Sequence, residues 1–147
     1  MNNKSPLIVS TVFSISASRL FKLLSTPDYL EQWLSPHESI KVNVIKHDFI
    51  VGGCYQLEYT LPDNKHSELH GKFIQIDKPD LISFSWVWQK PDIHSDIESI
   101  VTWQLQEIED ETRLTVIHEG PNKEFYDRHQ TGWNGTLDRL SKIVAQQ

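Results

Sequence analysis

Apolar and polar residues change places along this chain with two distinct periods. Over residues 7–15, Val9, Thr11, Phe13 and Ile15 alternate with Ile8, Ser10, Val12 and Ser14, and this β-branched, period-two pattern predicts a strand. Ser16 then stands where a helix cap belongs, and Ala17, Leu20, Phe21 and Leu24 recur at helical spacing. Thr26-Pro27 restarts the chain into a second short helix, with Thr26 as candidate N-cap and Asp28 near its positive end. Tyr29, Leu30 and Trp33 point inward from it, and Ser35-Pro36 ends it.

Period two then returns six times. The runs are Ile40, Val42, Val44; Tyr55, Leu57, Tyr59; Leu69, Gly71, Phe73; Ile82, Phe84, Trp86, Trp88; Ile97, Ser99, Val101, Trp103, Leu105; and Leu114, Val116, His118. Between them lie a loop from His47 to Gly53, turns at Pro62-Asp63-Asn64-Lys65, Asp77-Lys78-Pro79-Asp80 and Glu109-Asp110-Glu111, and a loop around Pro91-Asp92. Gly120-Pro121 releases the chain into its longest periodic segment, residues 122–146. There Trp133, Leu137, Leu140 and Val144 follow at spacings of four, three and four, with Phe125, Tyr126 and Ile143 widening the stripe. About 25 helical residues would span roughly 37 Å, enough to cross a sheet from edge to edge.

Gly132 and Gly135 interrupt this helix, each at a cost of about 1 kcal/mol relative to alanine, and Asn134-Gly135 is ordinarily a turn signal. The apolar spacing nevertheless runs through the pair unbroken, so the segment reads as one helix. The glycines are expected to permit close approach of other backbone, with a modest bend as the rival reading.

The order is one strand, two short helices, about six strands in hairpins and one long helix: an α+β fold with an antiparallel sheet covered on one side. The 147 residues suit a single domain. With 38% hydrophobic and 23% charged residues the composition is that of an ordinary soluble globular protein. Fourteen basic against twenty acidic residues give a formal charge of −6, the wrong balance for a phosphate-backbone partner, so nucleic acid is not expected. Neither a leader-like apolar run nor a stretch of membrane-spanning length is present, so a cytoplasmic protein without stable membrane insertion is expected. Cys54 is the only cysteine, which excludes an internal disulfide and a thiolate zinc cluster.

A sheet that curls around a helix must either fill the gap with large side chains or leave a cavity. Trp86, Trp88 and Trp103 converge on this gap from adjacent segments and Trp133 enters from the helix. Their indole N–H groups need acceptors when buried, which makes a wholly dry core less comfortable than one of phenylalanine.

Several stretches, none specific alone, occur in an order that resembles the START-like or SRPBCC superfamily. These are Ala17 to Pro36, with Arg19, Phe21, Leu24, Thr26-Pro27 and Trp33-Leu34-Ser35-Pro36; Gly71-Lys72-Phe73 with Asp77-Lys78-Pro79; Phe84-Ser85-Trp86; Ser99-Ile100-Val101-Thr102; Thr112 to His118; and Gly132-Trp133 with Leu137 and Leu140. Within the superfamily the chain is similar to the branch named for activators of the ninety-kilodalton heat-shock protein ATPase, over nearly its full length. The resemblance implies a helix-grip fold, a curved antiparallel sheet wrapped around a long C-terminal helix, with two short helices closing one end and a cavity between sheet and helix. Superfamily members include lipid carriers, aromatic-polyketide cyclases and regulatory proteins, so architecture follows from membership more firmly than activity.

For chemistry, His118 is the leading candidate by position, at the end of the last strand on the Leu114 and Val116 face. It reads first as a structural histidine, then as a ligand contact, then as a catalytic group. Glu58 and Glu68 alternate against apolar neighbours and read as solvated. His66 and His70 would share a strand face with Cα atoms some 13 Å apart, too far for one metal ion. His37, His47, His94 and His129 fall into no zinc spacing, and Arg19 lies off the buried stripe of its helix. No catalytic residue, metal site or cofactor is therefore assigned.

The expected ligand-binding residues are Trp86, Trp88, Trp103, His118 and Trp133, and the expected partner is a small hydrophobic or aromatic molecule. The alternatives are a chaperone partner, as the resemblance implies, and cyclase- or hydrolase-like chemistry on an aromatic or ketide substrate. Monomer and homodimer both stay open.

Overall fold

The computed structural model describes residues 6–89, 95 and 97–147. The readings at Lys90 to His94, including the Pro91-Asp92 loop, lie outside the described residues. The elements in order are β1 (Leu7–Phe13), α1 (Ala17–Ser25), α2 (Pro27–Trp33), β2 (Lys41–His47), β3 (Cys54–Thr60), β4 (His66–Asp77), β5 (Leu81–Trp88), β6 (Glu98–Ile108), β7 (Glu111–Glu119) and α3 (Lys123–Val144). The strands form one antiparallel sheet in the order β1-β7-β6-β5-β4-β3-β2. Strands β2 to β7 are thus a meander, and β1 closes it by pairing with β7. The sheet curves around α3, with α1 and α2 after the first strand: the helix-grip arrangement.

Local chemistry explains the element ends. Ser16 Oγ accepts the Arg19 amide at 3.2 Å and caps α1, and Asn122 Oδ1 accepts the Phe125 amide at 3.0 Å and caps α3. Thr26 occupies the N-cap position of α2, but its side chain makes no capping bond. Pro27 has no amide to offer, and the Tyr29 amide is taken by the Thr26 carbonyl oxygen at 3.0 Å. In the β3–β4 turn Asn64 supplies the positive φ of 66°, and Glu109 does so with 59° between β6 and β7.

Two irregularities help the sheet to bend, one between Val44 and Lys46 and one between Phe73 and Gln75. The first also corrects the sequence reading of His47 as loop. The register slip pairs His47 with Tyr55, so it ends β2 with its ring stacked on Phe49 at 5.5 Å and edge-on to Phe73 at 5.4 Å.

The concave face carries the core: Tyr55, Leu57, Leu69, Ile82, Phe84, Val101, Trp103, Leu114 and Val116 meet Phe125, Trp133, Leu137 and Leu140 of α3. All five tryptophans belong to one chain of rings. Trp33 lies 5.5 Å from Trp103, Trp103 6.3 Å from Trp133, Trp133 5.2 Å from Trp86, and Trp86 5.8 Å from Trp88. At the far end α1 is tied to the sheet by Glu107 Oε1, which accepts the Ala17 amide at 2.8 Å.

The two glycines of α3 do different work. A Cβ on Gly135 would overlap the carbonyl oxygen of Pro36, so this glycine lets the helix touch the chain leaving α2. Arg139 secures the same junction through Ser35 Oγ and, at 2.9 Å, the Gln32 carbonyl oxygen. Gly132, for which the sequence predicts the same close approach, has nothing within 4 Å of its would-be Cβ. Opposite signs follow for the same substitution. Gly132→Ala is expected to raise stability by up to about 1 kcal/mol through helix propensity. Gly135→Ala is expected to lower it by about 1–3 kcal/mol through overlap with backbone. The urea midpoints of the two variants against the parent check both signs.

Candidate functional site

Gly132 faces open space because a cavity of about 350 Å³ lies beside it. The period of β5 sets Trp86 and Trp88 on the concave face, and Tyr59, Leu61 and Ser67 come from β3, its turn and β4. The segment after α2 contributes Leu34, Ser35, Pro36 and Ile40. From α3 come Arg128, His129, Thr131, Gly132, Trp133 and Thr136. Aromatic and aliphatic surface dominates, and it is held rigidly. Tyr59 donates its hydroxyl to the Leu34 carbonyl oxygen at 2.9 Å and its ring meets Trp88 at 5.5 Å. The Arg128 guanidinium lies 5.9 Å from the Trp88 ring centre, a cation–π distance.

Two histidines, His129 in the wall and His118 behind it, serve as acceptors for indoles. Trp133 Nε1 donates to His118 Nδ1 at 3.1 Å, and Trp88 Nε1 donates to His129 Nε2 at 3.1 Å. An indole can only donate, so each receiving nitrogen is unprotonated and the proton sits on the other one. His118 Nε2–H therefore donates to Ser99 Oγ at 2.9 Å, and Ser99 passes its own proton to the Trp86 carbonyl oxygen at 3.1 Å. His129 Nδ1–H donates to the Phe125 carbonyl oxygen at 2.9 Å, with its ring stacked on Phe125 at 4.0 Å. The two imidazoles stand edge to face at 4.9 Å. Burial, and next the neighbouring His129, push the His118 pKa down to about 2. With both nitrogens engaged and so low a pKa, His118 serves as a neutral hydrogen-bonding group near neutrality.

Of the residues singled out in the sequence, Trp86, Trp88 and Trp133 line the cavity. Trp103 and His118 lie behind it, 3% and 0% exposed. His129, Arg128, Tyr59 and Thr136 line it or stand in its wall without having been singled out. His129 carried a readable signal, since it sits four residues after Phe125 and four before Trp133 on the buried stripe. Arg19 is exposed and does not line the cavity. His66 lies at the surface 3.8 Å from Glu58 Oε2. Among the described residues no group of three or more His, Cys, Asp or Glu could hold a metal ion, and no helix is long and apolar enough to cross a membrane.

Comparison with protein families matches residues 14–145 to the model described as activator of Hsp90 ATPase homolog 1-like protein. The chain belongs to this family. Solved structures similar to this activator-homologue-like chain include one from Chromobacterium violaceum, at TM-score 0.86 and 22% identity over 95% of this chain and 96% of the other. An AHSA1 protein from Silicibacter pomeroyi has TM-score 0.84 and 23% identity over 97% and 99%. A Rhodobacter sphaeroides protein has 0.82 and 21% over 97% and 93%. At these identities the likeness is one of fold. No curated protein matches the chain.

The neutral histidine behind the tryptophans makes this family member acid-sensitive in a defined direction. Its unfolded chain takes up a proton on His118 near pH 6.5, whereas the folded chain resists until about pH 2. Stability from this group is complete above about pH 6.5 and is lost as pH falls below it, by up to about 1.4 kcal/mol per pH unit. His47, whose pKa burial also lowers, acts in the same sense. Urea unfolding between pH 7 and 5 is expected to show this slope, reduced by about one proton's worth in His118→Asn.

Proposed function

We propose that the chain binds a small hydrophobic or aromatic molecule in the cavity between the sheet and α3, as a single domain without catalytic chemistry of its own. One observation carries the reading: about 350 Å³ of mainly apolar space walled by Trp86, Trp88 and Trp133 beside a helix residue that has no side chain. That volume lies in the range of small-molecule sites, and the aromatic walls suit a flat or elongated apolar body. Trp86, Trp88 and Trp133 make the direct contacts, while Trp103 and His118 support them from behind.

The family match favours a second reading, a protein-interaction module acting on a chaperone ATPase. The cavity gives it no support. A change in the ATPase rate of a ninety-kilodalton heat-shock protein on adding the chain, with no uptake of apolar probes, would favour it over ligand binding.

The test uses the neutral fluorescent probe N-phenyl-1-naphthylamine with the parent and Gly132→Phe. The Cβ direction at residue 132 is open, so the variant is expected to fold while its ring occupies the cavity. Binding to the parent with a negative heat-capacity change, weakened at least tenfold in the variant, is the expected result. Equal binding by both would place the probe elsewhere and remove the reading.

A further inference from the structure

Leu34 and Trp86 wall two spaces. On one side is the large cavity; on the other is a void of about 20 Å³ that also touches Leu30, Tyr55, Phe84 and Trp103. The walls of this void are mainly apolar, and the polar side chains among them are His47, Tyr55, Trp86 and Trp103. Trp33, Trp88 and Trp133 donate their indole protons to the Leu23 carbonyl oxygen, His129 and His118. Trp86 Nε1 and Trp103 Nε1 are buried and find no acceptor among the described residues. The two unanswered donors are thus those of the two tryptophans that share the void. The hydroxyl of Tyr55 is already committed to the Ser85 carbonyl oxygen at 2.6 Å.

A buried N–H without an acceptor is unfavourable, and an indole can never accept. What completes this wall is therefore an acceptor, and a space of this volume admits a single group the size of an oxygen atom. A carboxylate would lose its hydration there, and burial holds the pKa of His47, the one basic side chain in the walls, below its ordinary value, so a neutral acceptor fits better.

We infer that the void is the inner end of the binding site and takes a carbonyl oxygen of the ligand between the Trp86 and Trp103 N–H groups. This rests on the ligand-binding reading above and narrows it to an apolar molecule with an uncharged carbonyl at one end. Leu34 and Trp86 line both spaces, so the carbonyl end reaches the void beside them while Trp88 and Trp133 hold the ligand's body. Specificity follows from the unanswered donors: a hydrocarbon of the same shape fills the large cavity but leaves both N–H groups without a partner.

The test pairs 2-acetylnaphthalene with 2-ethylnaphthalene, which differ in the carbonyl and little in shape. Titration of the ¹⁵N-labelled protein follows its five indole N–H signals, with those of Trp86 and Trp103 assigned through single phenylalanine variants. The ketone is expected to bind at least tenfold more tightly and to move the Trp86 and Trp103 signals downfield. Trp103→Phe is expected to cut that preference at least threefold.

Equal affinities with those two signals unmoved would overturn the inference and leave ligand binding standing. It is overturned equally if the ketone moves only the Trp88 and Trp133 signals, or if Trp86 and Trp103 keep their exchange peaks with water in the ketone complex. Binding of neither compound, nor of N-phenyl-1-naphthylamine, would remove both readings together.

Discussion

The distance between α3 and the sheet is the constraint from which the rest follows. Near the chain leaving α2 the helix is drawn in until Gly135 meets the Pro36 carbonyl oxygen, with Arg139 bonded across the junction. Two residues earlier it is held off by the breadth of Trp133 and by the rings of Trp86 and Trp88 beneath it. A helix in tight contact at one point and propped by indoles at another leaves a wedge, and the cavity is that wedge.

Large aromatic residues fill space well, but each tryptophan brings a donor into the interior. Neutral histidine is suited to answering it, since one nitrogen accepts an indole proton while the other gives its own to an oxygen. His118 joins Trp133 of the helix to Ser99 of β6 in this way, and His129 joins Trp88 of β5 to the first turn of α3. Helix and sheet are therefore linked by directional bonds as well as by apolar packing. The same bonds require uncharged imidazoles, so the interior that gains this order also gains its sensitivity to acid.

The elements were legible because their periods are clean. Seven strands, two short helices and the long helix follow from alternation and from three-and-four spacing, and the capping roles of Ser16 and Asn122 agree with their residue types. Other features depend on neighbours remote in the chain. Gly132 and Gly135 look alike in sequence, yet one abuts Pro36, about a hundred residues earlier, while the other faces open space. The slip at Val44 that turns His47 inward leaves no mark in a short apolar run. His129 is legible in principle, because its role comes from its place on a helix stripe and owes nothing to metal-ligand spacing. Which tryptophans touch the cavity and which stand behind it depends on ring orientation, on which period two is silent.

The unbroken row of indoles, from Trp33 at the closed end to Trp88 at the cavity wall, has an optical consequence. Neighbours 5.2 to 6.3 Å apart share absorbed light readily, so an excitation that begins on any of them can migrate to the others. The protein's ultraviolet emission is then a collective property of the row. A molecule settling against Trp86 or Trp88 perturbs the glow of all five, and the chain carries its own gauge of occupancy.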